Sequence, residues 1–223
     1  MSSFQLKTLA CIFMLIDHMG TIIFPQYILF RIIGRLAFPI FAWMITIGYE
    51  HTTNPINYMK RLGVFAVISQ VPFSLAFGYK ELNIFFTLFL GFINIYYYNK
   101  IEERKKRIFI LIVFIILSTI LNTDYSAYGI LTIFFFYKYR DDFKEMVKYQ
   151  GILNIYLVAS CALVLFLNRK AINLDIFLQT VSLTSLFLIK KYNGQKGKNI
   201  KYAFYAFYPI HLIVLYVIKN KWL

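Results

Sequence analysis

The chain has 223 residues and a formal charge of +14, with 60% hydrophobic residues against 15% charged. A mean hydropathy of +0.62 excludes an ordinary soluble domain, because Ile, Leu and Phe fill nearly every segment. The basic residues fall between the apolar runs, where membrane topology places them, which argues for a lipid bilayer and against a nucleic-acid partner.

At about 20 residues per crossing, the pattern predicts an all-α, polytopic transmembrane helical bundle of about nine helices. They run near 5–24, 28–49, 58–78, 82–99, 107–122, 126–139, 150–168, 173–189 and 203–218. No internal repeat or long linker divides the chain, so residues 1–223 read as one domain. The first apolar run contains Asp17 and His18 and lacks a cleavage-site pattern, so it is expected to stay as a helix. Cys11 and Cys161 lie inside apolar runs and supply neither a disulfide framework nor metal ligands.

Four ionisable groups in the first two spans stand apart: Asp17, His18, Arg31 and Arg35. An unpaired charge at bilayer depth costs about 2.5 kcal/mol or more, so such groups face a protected interior. Arg31 and Arg35 are four apart and share a helix face, whereas Asp17 and His18 diverge by about 100°. The economical arrangement has Asp17 neutralising an arginine while His18 points into a cavity. Imidazole titrates near neutrality, which makes His18 the catalytic candidate as a general base. Asp17 either orients that base or pairs with Arg31 or Arg35. The arginines in turn hold a substrate carboxylate or phosphate, or Asp17 itself.

Further along, Asn83 and Thr87, one turn apart, are candidate substrate-binding residues or make helix-to-helix hydrogen bonds, and Asn83 can also donate to an oxyanion. His51 follows the second span beside Glu50 and is expected at the membrane interface. His211, next to Tyr208 and Pro209 in the last span, is a second base or a thioester-binding group. Pro39, Pro72 and Pro209 each remove a helical hydrogen bond, which marks a packing kink or a cavity wall. The glycine-rich, basic stretch 194–198 lacks the Walker spacing and reads as a solvated turn that at most attracts phosphates or anionic lipid.

Seven blocks in order resemble the TraX family of membrane proteins. They are MLIDHMG (14–20), RIIGRLAFPIFAWMI (31–45), GYEHTTN (48–54), RLGVFAVISQVPFSLAF (61–77), NIFFTLFLG (83–91), DYSAYGIL (124–131) and FYPIHL (207–212). The resemblance adds Asp124 and Tyr125 to the candidate substrate-binding residues. It implies an acyl-CoA-dependent transmembrane acetyltransferase, with acetyl-CoA as cytoplasmic donor. The implied acceptor is the terminal amine of a secreted or membrane peptide such as a pilin, with a hydroxyl of a cell-surface glycan as second choice. The rival of another class, a small proton-coupled transporter, also uses buried Asp, His and Arg, but it lacks support from an inverted repeat.

Loop charge gives an orientation in a bacterial cytoplasmic membrane. With the N-terminus inside, seventeen Lys and Arg fall on the inner side and five outside, which puts the C-terminus out. A reporter fused behind Leu223 is expected outside, and one inserted between Ile101 and Arg107 inside. Both reading the same side would remove the nine-span arrangement.

Overall fold

Side-chain caps fix where several helices begin. Ser2 and Gln5 form a capping box at the start of α1 (Ser3–Ile22), and Asn54 caps α4 (Pro55–Phe77), whose first residue is proline. Asn83 caps α5 (Ile84–Lys100), and Asp142 caps α8 (Phe143–Leu167) by accepting from Lys144 and Glu145. The remaining helices are α2 (Ile28–Gly34), α3 (Ala37–His51), α6 (Arg104–Ile120), α7 (Ser126–Lys138), α9 (Ser185–Lys190) and α10 (Lys201–Trp222). A 3₁₀ segment, Leu174–Thr184, runs directly into α9. This computed structural model describes residues 1–78, 80–169, 174–198 and 200–222. Lys170 and residue 173, where the eighth predicted span begins, lie outside the described residues, as does Leu223.

These elements form nine rods, in the order and close to the limits that the apolar runs predict. Two differences have plain causes. The second rod is broken at Arg35 and Leu36, between α2 and α3, which places Pro39 in the first turn of α3 where no N–H is needed. The seventh rod starts at Phe143 instead of near 150. Its first turns, carrying Lys144, Glu145 and Lys148, extend the helix beyond the apolar stretch, with Lys148 paired to Glu145 at 3.0 Å.

Among the described residues, three rods are long and apolar enough to cross a membrane by themselves: Ile28–His51, Phe143–Leu167 and Lys201–Lys221. The outward faces extend the argument to other rods. α4 exposes Val64, Val67, Ile68, Val71 and Leu75, one helical stripe, while Leu62, Ala66, Ser69 and Phe73 are buried. α8 likewise buries Gln150 and Asn154 and exposes Ile152, Ile155, Leu163 and Phe166. Apolar outside and polar inside is the distribution a bilayer selects, because water would drive these faces together. The chain is a helical membrane protein.

The rods alternate in direction. Backbone bonds from Ser3 N–H to the Gln195 carbonyl (2.8 Å) and from Phe4 N–H to that of Lys196 (3.1 Å) put the start of α1 beside the loop preceding α10. At the same end, Asn99 links Tyr49 (3.0 Å) to Tyr137 (3.1 Å), and Arg140 reaches Glu50 at 3.4 Å. The opposite end is stitched by Leu82 and residues 122–124, through Leu82 N–H to the Asn122 carbonyl (3.0 Å) and Asp124 N–H to the Leu82 carbonyl (2.8 Å).

Asn83 belongs to this stitching. It is fully buried, and its amide donates to the Ala66 carbonyl (2.8 Å) and to Gln70 Oε1 (2.9 Å) while its oxygen accepts from Phe85 N–H (3.0 Å). No donor is left over for a substrate. Asn83→Ala removes a cap and the side-chain bonds to the Ala66 carbonyl and to Gln70, and is expected to lower stability by about 2–3 kcal/mol. Thermal unfolding in detergent measures the loss, and a wild-type melting temperature would refute the structural role.

Candidate functional site

Asp17 projects from α1 towards α2, where Gly34 sits between the two arginines. A Cβ at position 34 would collide with the Asp17 carboxyl group, so only glycine lets the carboxylate lie against this backbone. Arg31 Nη1 donates to Asp17 Oδ2 at 2.7 Å. Arg35, freed from regular helix at the break, donates through Nη2 to Oδ1 and Oδ2, both at 2.8 Å. Arg31 also donates to Thr21 Oγ1, and Arg35 Nη1 lies 3.4 Å from Gln179 Oε1. One carboxylate thus holds two guanidiniums, where the sequence left one arginine for substrate.

His18, turned away from Asp17, meets His211 across the interior. His18 Nδ1 and His211 Nε2 are 2.7 Å apart, with ring planes inclined by only 13°. His211 Nδ1 lies 2.7 Å from the Phe207 carbonyl one turn back on α10. These contacts assign the tautomers of a neutral pair. A carbonyl only accepts, so His211 carries its proton on Nδ1 and offers Nε2 as acceptor. His18 must then donate through Nδ1, which leaves the lone pair on its Nε2. The partner that orients His18 is therefore His211 and not Asp17, although Asp17 is adjacent in sequence.

Asp17 and His18 line a small chamber of about 130 Å³, together with Arg31, Arg35, Glu81, Asp124 and Tyr125. Asp124 and Tyr125 come from the loop between α6 and α7, where Asn122, Tyr125 and Ser126 have φ of 49°, 62° and 38°. Left-handed backbone at three non-glycine positions costs about 1–3 kcal/mol each and persists only where the surroundings enforce it. Here Tyr125 stacks on Phe38 at 4.0 Å, and Thr87 donates its hydroxyl to the Asp124 carbonyl. Thr87 is fully buried and acts on the site through that loop. Burial pushes the Asp124 carboxyl up to about 7, against the opposing pull of the Arg35 charge.

A second cavity, about 690 Å³, opens at the end of the bundle that holds the start of α1. His51 and Arg61 border it, so His51 stands apart from the histidine pair. Met14, Phe41, Ile84 and Tyr208 line both cavities and form the wall between them. Sequence reading assigned no role to Tyr208, Glu81 or Gln179. The only advance signal was the position of Tyr208 one turn before His211. Among the described residues, no group of His, Cys, Asp and Glu is placed to hold a metal ion.

The fold and site define an integral membrane helical bundle with a polar chamber inside it. The chain belongs to the TraX family, whose model, described as TraX protein, matches residues 2–219. It is 26% identical over 238 residues to "Probable fimbrial assembly protein FimC, serogroup H1" of Dichelobacter nodosus, covering 96% of this chain and 94% of that protein. An uncharacterized protein of Rickettsia prowazekii (strain Madrid E) is 37% identical over 95 residues, covering 42% of this chain and 36% of its own length. No solved structure matches.

Because Asp17 serves both arginines, Asp17→Asn is expected to cost about 3–5 kcal/mol, as for other broken buried pairs. Replacing either Arg31 or Arg35 with Met should recover only part of it, so a double-mutant cycle on melting temperature should show coupling to each. Full rescue by one arginine alone would mean that the other contact carries no energy.

Proposed function

We propose that this protein is a membrane acetyltransferase that moves an acetyl group from cytoplasmic acetyl-CoA to an amine presented in the chamber of His18. The observation that carries the reading is the pair of cavities that meet at one wall. The larger is open at the basic end of the bundle and leads inward to the residues that also border the His18 chamber. The loop-charge count supports placing that end in the cytoplasm, and family membership supports the reaction class. The fimbrial relative supports a pilus subunit or similar exported peptide as acceptor.

In this reading the thioester reaches the wall from the large cavity and the acceptor amine enters the chamber. His18 Nε2 takes a proton from the amine as nitrogen attacks the thioester carbonyl carbon. The C–N bond forms and the carbonyl electrons move onto oxygen, where the guanidinium groups of Arg31 and Arg35 lower the cost of the anion. Collapse breaks the C–S bond, and the departing thiolate recovers the proton from His18. The products are an N-acetylated acceptor and free CoA. His211, pinned by the Phe207 carbonyl, keeps the His18 lone pair on Nε2 throughout the approach.

His18→Ala is expected to lower acetyl transfer by ~10²–10⁴-fold while the protein still inserts and folds. The measurement is label transfer from radiolabelled acetyl-CoA to a peptide amine, with protein reconstituted in lipid. Wild-type turnover in that variant would move the base elsewhere, and no transfer by the wild type to amines or hydroxyls would sink the enzymatic reading.

A further inference from the structure

The mouth of the large cavity carries Lys7, Arg61, Lys196, Lys198 and Lys201, and among the described residues no Asp or Glu lines the cavity. None of these five takes part in the ion pairs of the described residues. Solvated lysines alone would mean little, but two further observations turn the mouth into a site. Arg61 is drawn inward, with its guanidinium 5.2 Å from the centre of the Tyr58 ring and its Nε buried without a hydrogen-bond partner. A buried guanidinium donor in that condition calls for an acceptor. The stretch 194–198 is exposed, as a solvated turn would be, yet it is fastened in place. Ser3 and Phe4 donate to its backbone, and a Cβ on Gly197, at φ 71°, would stand 2.8 Å from both Phe4 Cβ and Ser2 Oγ. Lys196 and Lys198 are thus held at the rim.

We propose that these five cations form a clamp for the phosphate groups of a nucleotide-type donor. Its thin acyl-carrying arm runs down the cavity towards Tyr208. The assignment deepens the acetyl-CoA reading above and rests on it. Lengths agree: from Lys7 to His18 along α1 is about 16 Å at 1.5 Å per residue, a span that an extended phosphopantetheine arm covers. Arg61 supplies directional donors to phosphate oxygens, and the lysines supply charge.

The test uses the full chain in nanodiscs of neutral phosphatidylcholine and measures binding of CoA, dephospho-CoA, adenosine 3′,5′-bisphosphate and pantetheine by calorimetry. CoA and the bisphosphate should bind, more weakly as salt rises, and pantetheine should bind least. Arg61→Gln and the double variant Lys196→Gln/Lys198→Gln should each weaken CoA binding by about tenfold or more. Arg61→Lys should restore part of it, and Lys219→Gln/Lys221→Gln, with the same loss of charge at the other end, should bind as wild type. Melting temperatures confirm that the variants compared are folded. CoA binding untouched in the rim variants overturns the clamp, as does binding of anionic-lipid nanodiscs that CoA cannot displace. The two readings fail separately. Bisphosphate binding that depends on the rim, with no acetyl product formed, keeps the clamp and removes the acetyl chemistry. Acetyl transfer with an unchanged KM in the rim variants does the reverse.

Discussion

A carboxylate enclosed by helices in a bilayer has to be neutralised where it lies, and Asp17 is neutralised twice over. The two guanidiniums that reach it come from α2 and from the residue that ends it, and the third requirement, a residue without a side chain between them, is met by Gly34. This single interaction explains several local features. It ties α1 both to α2 and to Arg35 at the junction with α3. It also sets the rotation of α1, and because consecutive helical residues differ by about 100°, turning Asp17 towards α2 turns His18 towards α10.

The chamber's other wall is held by backbone, not by charge. The loop that carries Asp124 and Tyr125 keeps its left-handed residues because the neighbouring loop bonds it on both sides of Leu82, Thr87 bonds it from below and Phe38 stacks on it. Asn83 and Thr87 therefore matter to the site without touching a substrate. They fix the start of α5, and α5 fixes the loop. Asn83, which by type belonged among oxyanion donors, turns out to be a support, since every polar atom of its side chain is already engaged.

What the sequence made legible follows from the range of the forces involved. The rods were readable because lipid imposes apolar length on each crossing independently of its neighbours. The Asp17–arginine contact was readable because buried opposite charges on consecutive segments have few other partners. That it involves both arginines was not, since the break at Arg35 depends on packing and no residue in the sequence marks it. The His18–His211 contact joins residues 193 positions apart, and nothing local to either announces the other. The rim of the large cavity was hidden for the same reason: Lys7, Arg61 and Lys196 sit on separate segments that only the folded bundle brings together. The first was read as a loop charge and the last as part of a solvated turn.

The wall between the cavities and the orientation of the base share one helix. Tyr208 belongs to the wall, Phe207 supplies the carbonyl that pins His211, and His211 fixes the His18 tautomer, all within a single turn of α10. Pro209 lies inside that turn, and its missing N–H leaves the Tyr205 carbonyl without its helical partner, which makes this the weakest point of the rod. In the proposed transfer, a thioester and an amine react only once Tyr208 and its neighbours let them meet. Any displacement of α10 that lifts Tyr208 from the wall carries Phe207 and His211 with it. Access for the donor and readiness of the base are therefore not independent variables: the geometry that separates the two cavities is also the geometry that aims the lone pair of His18.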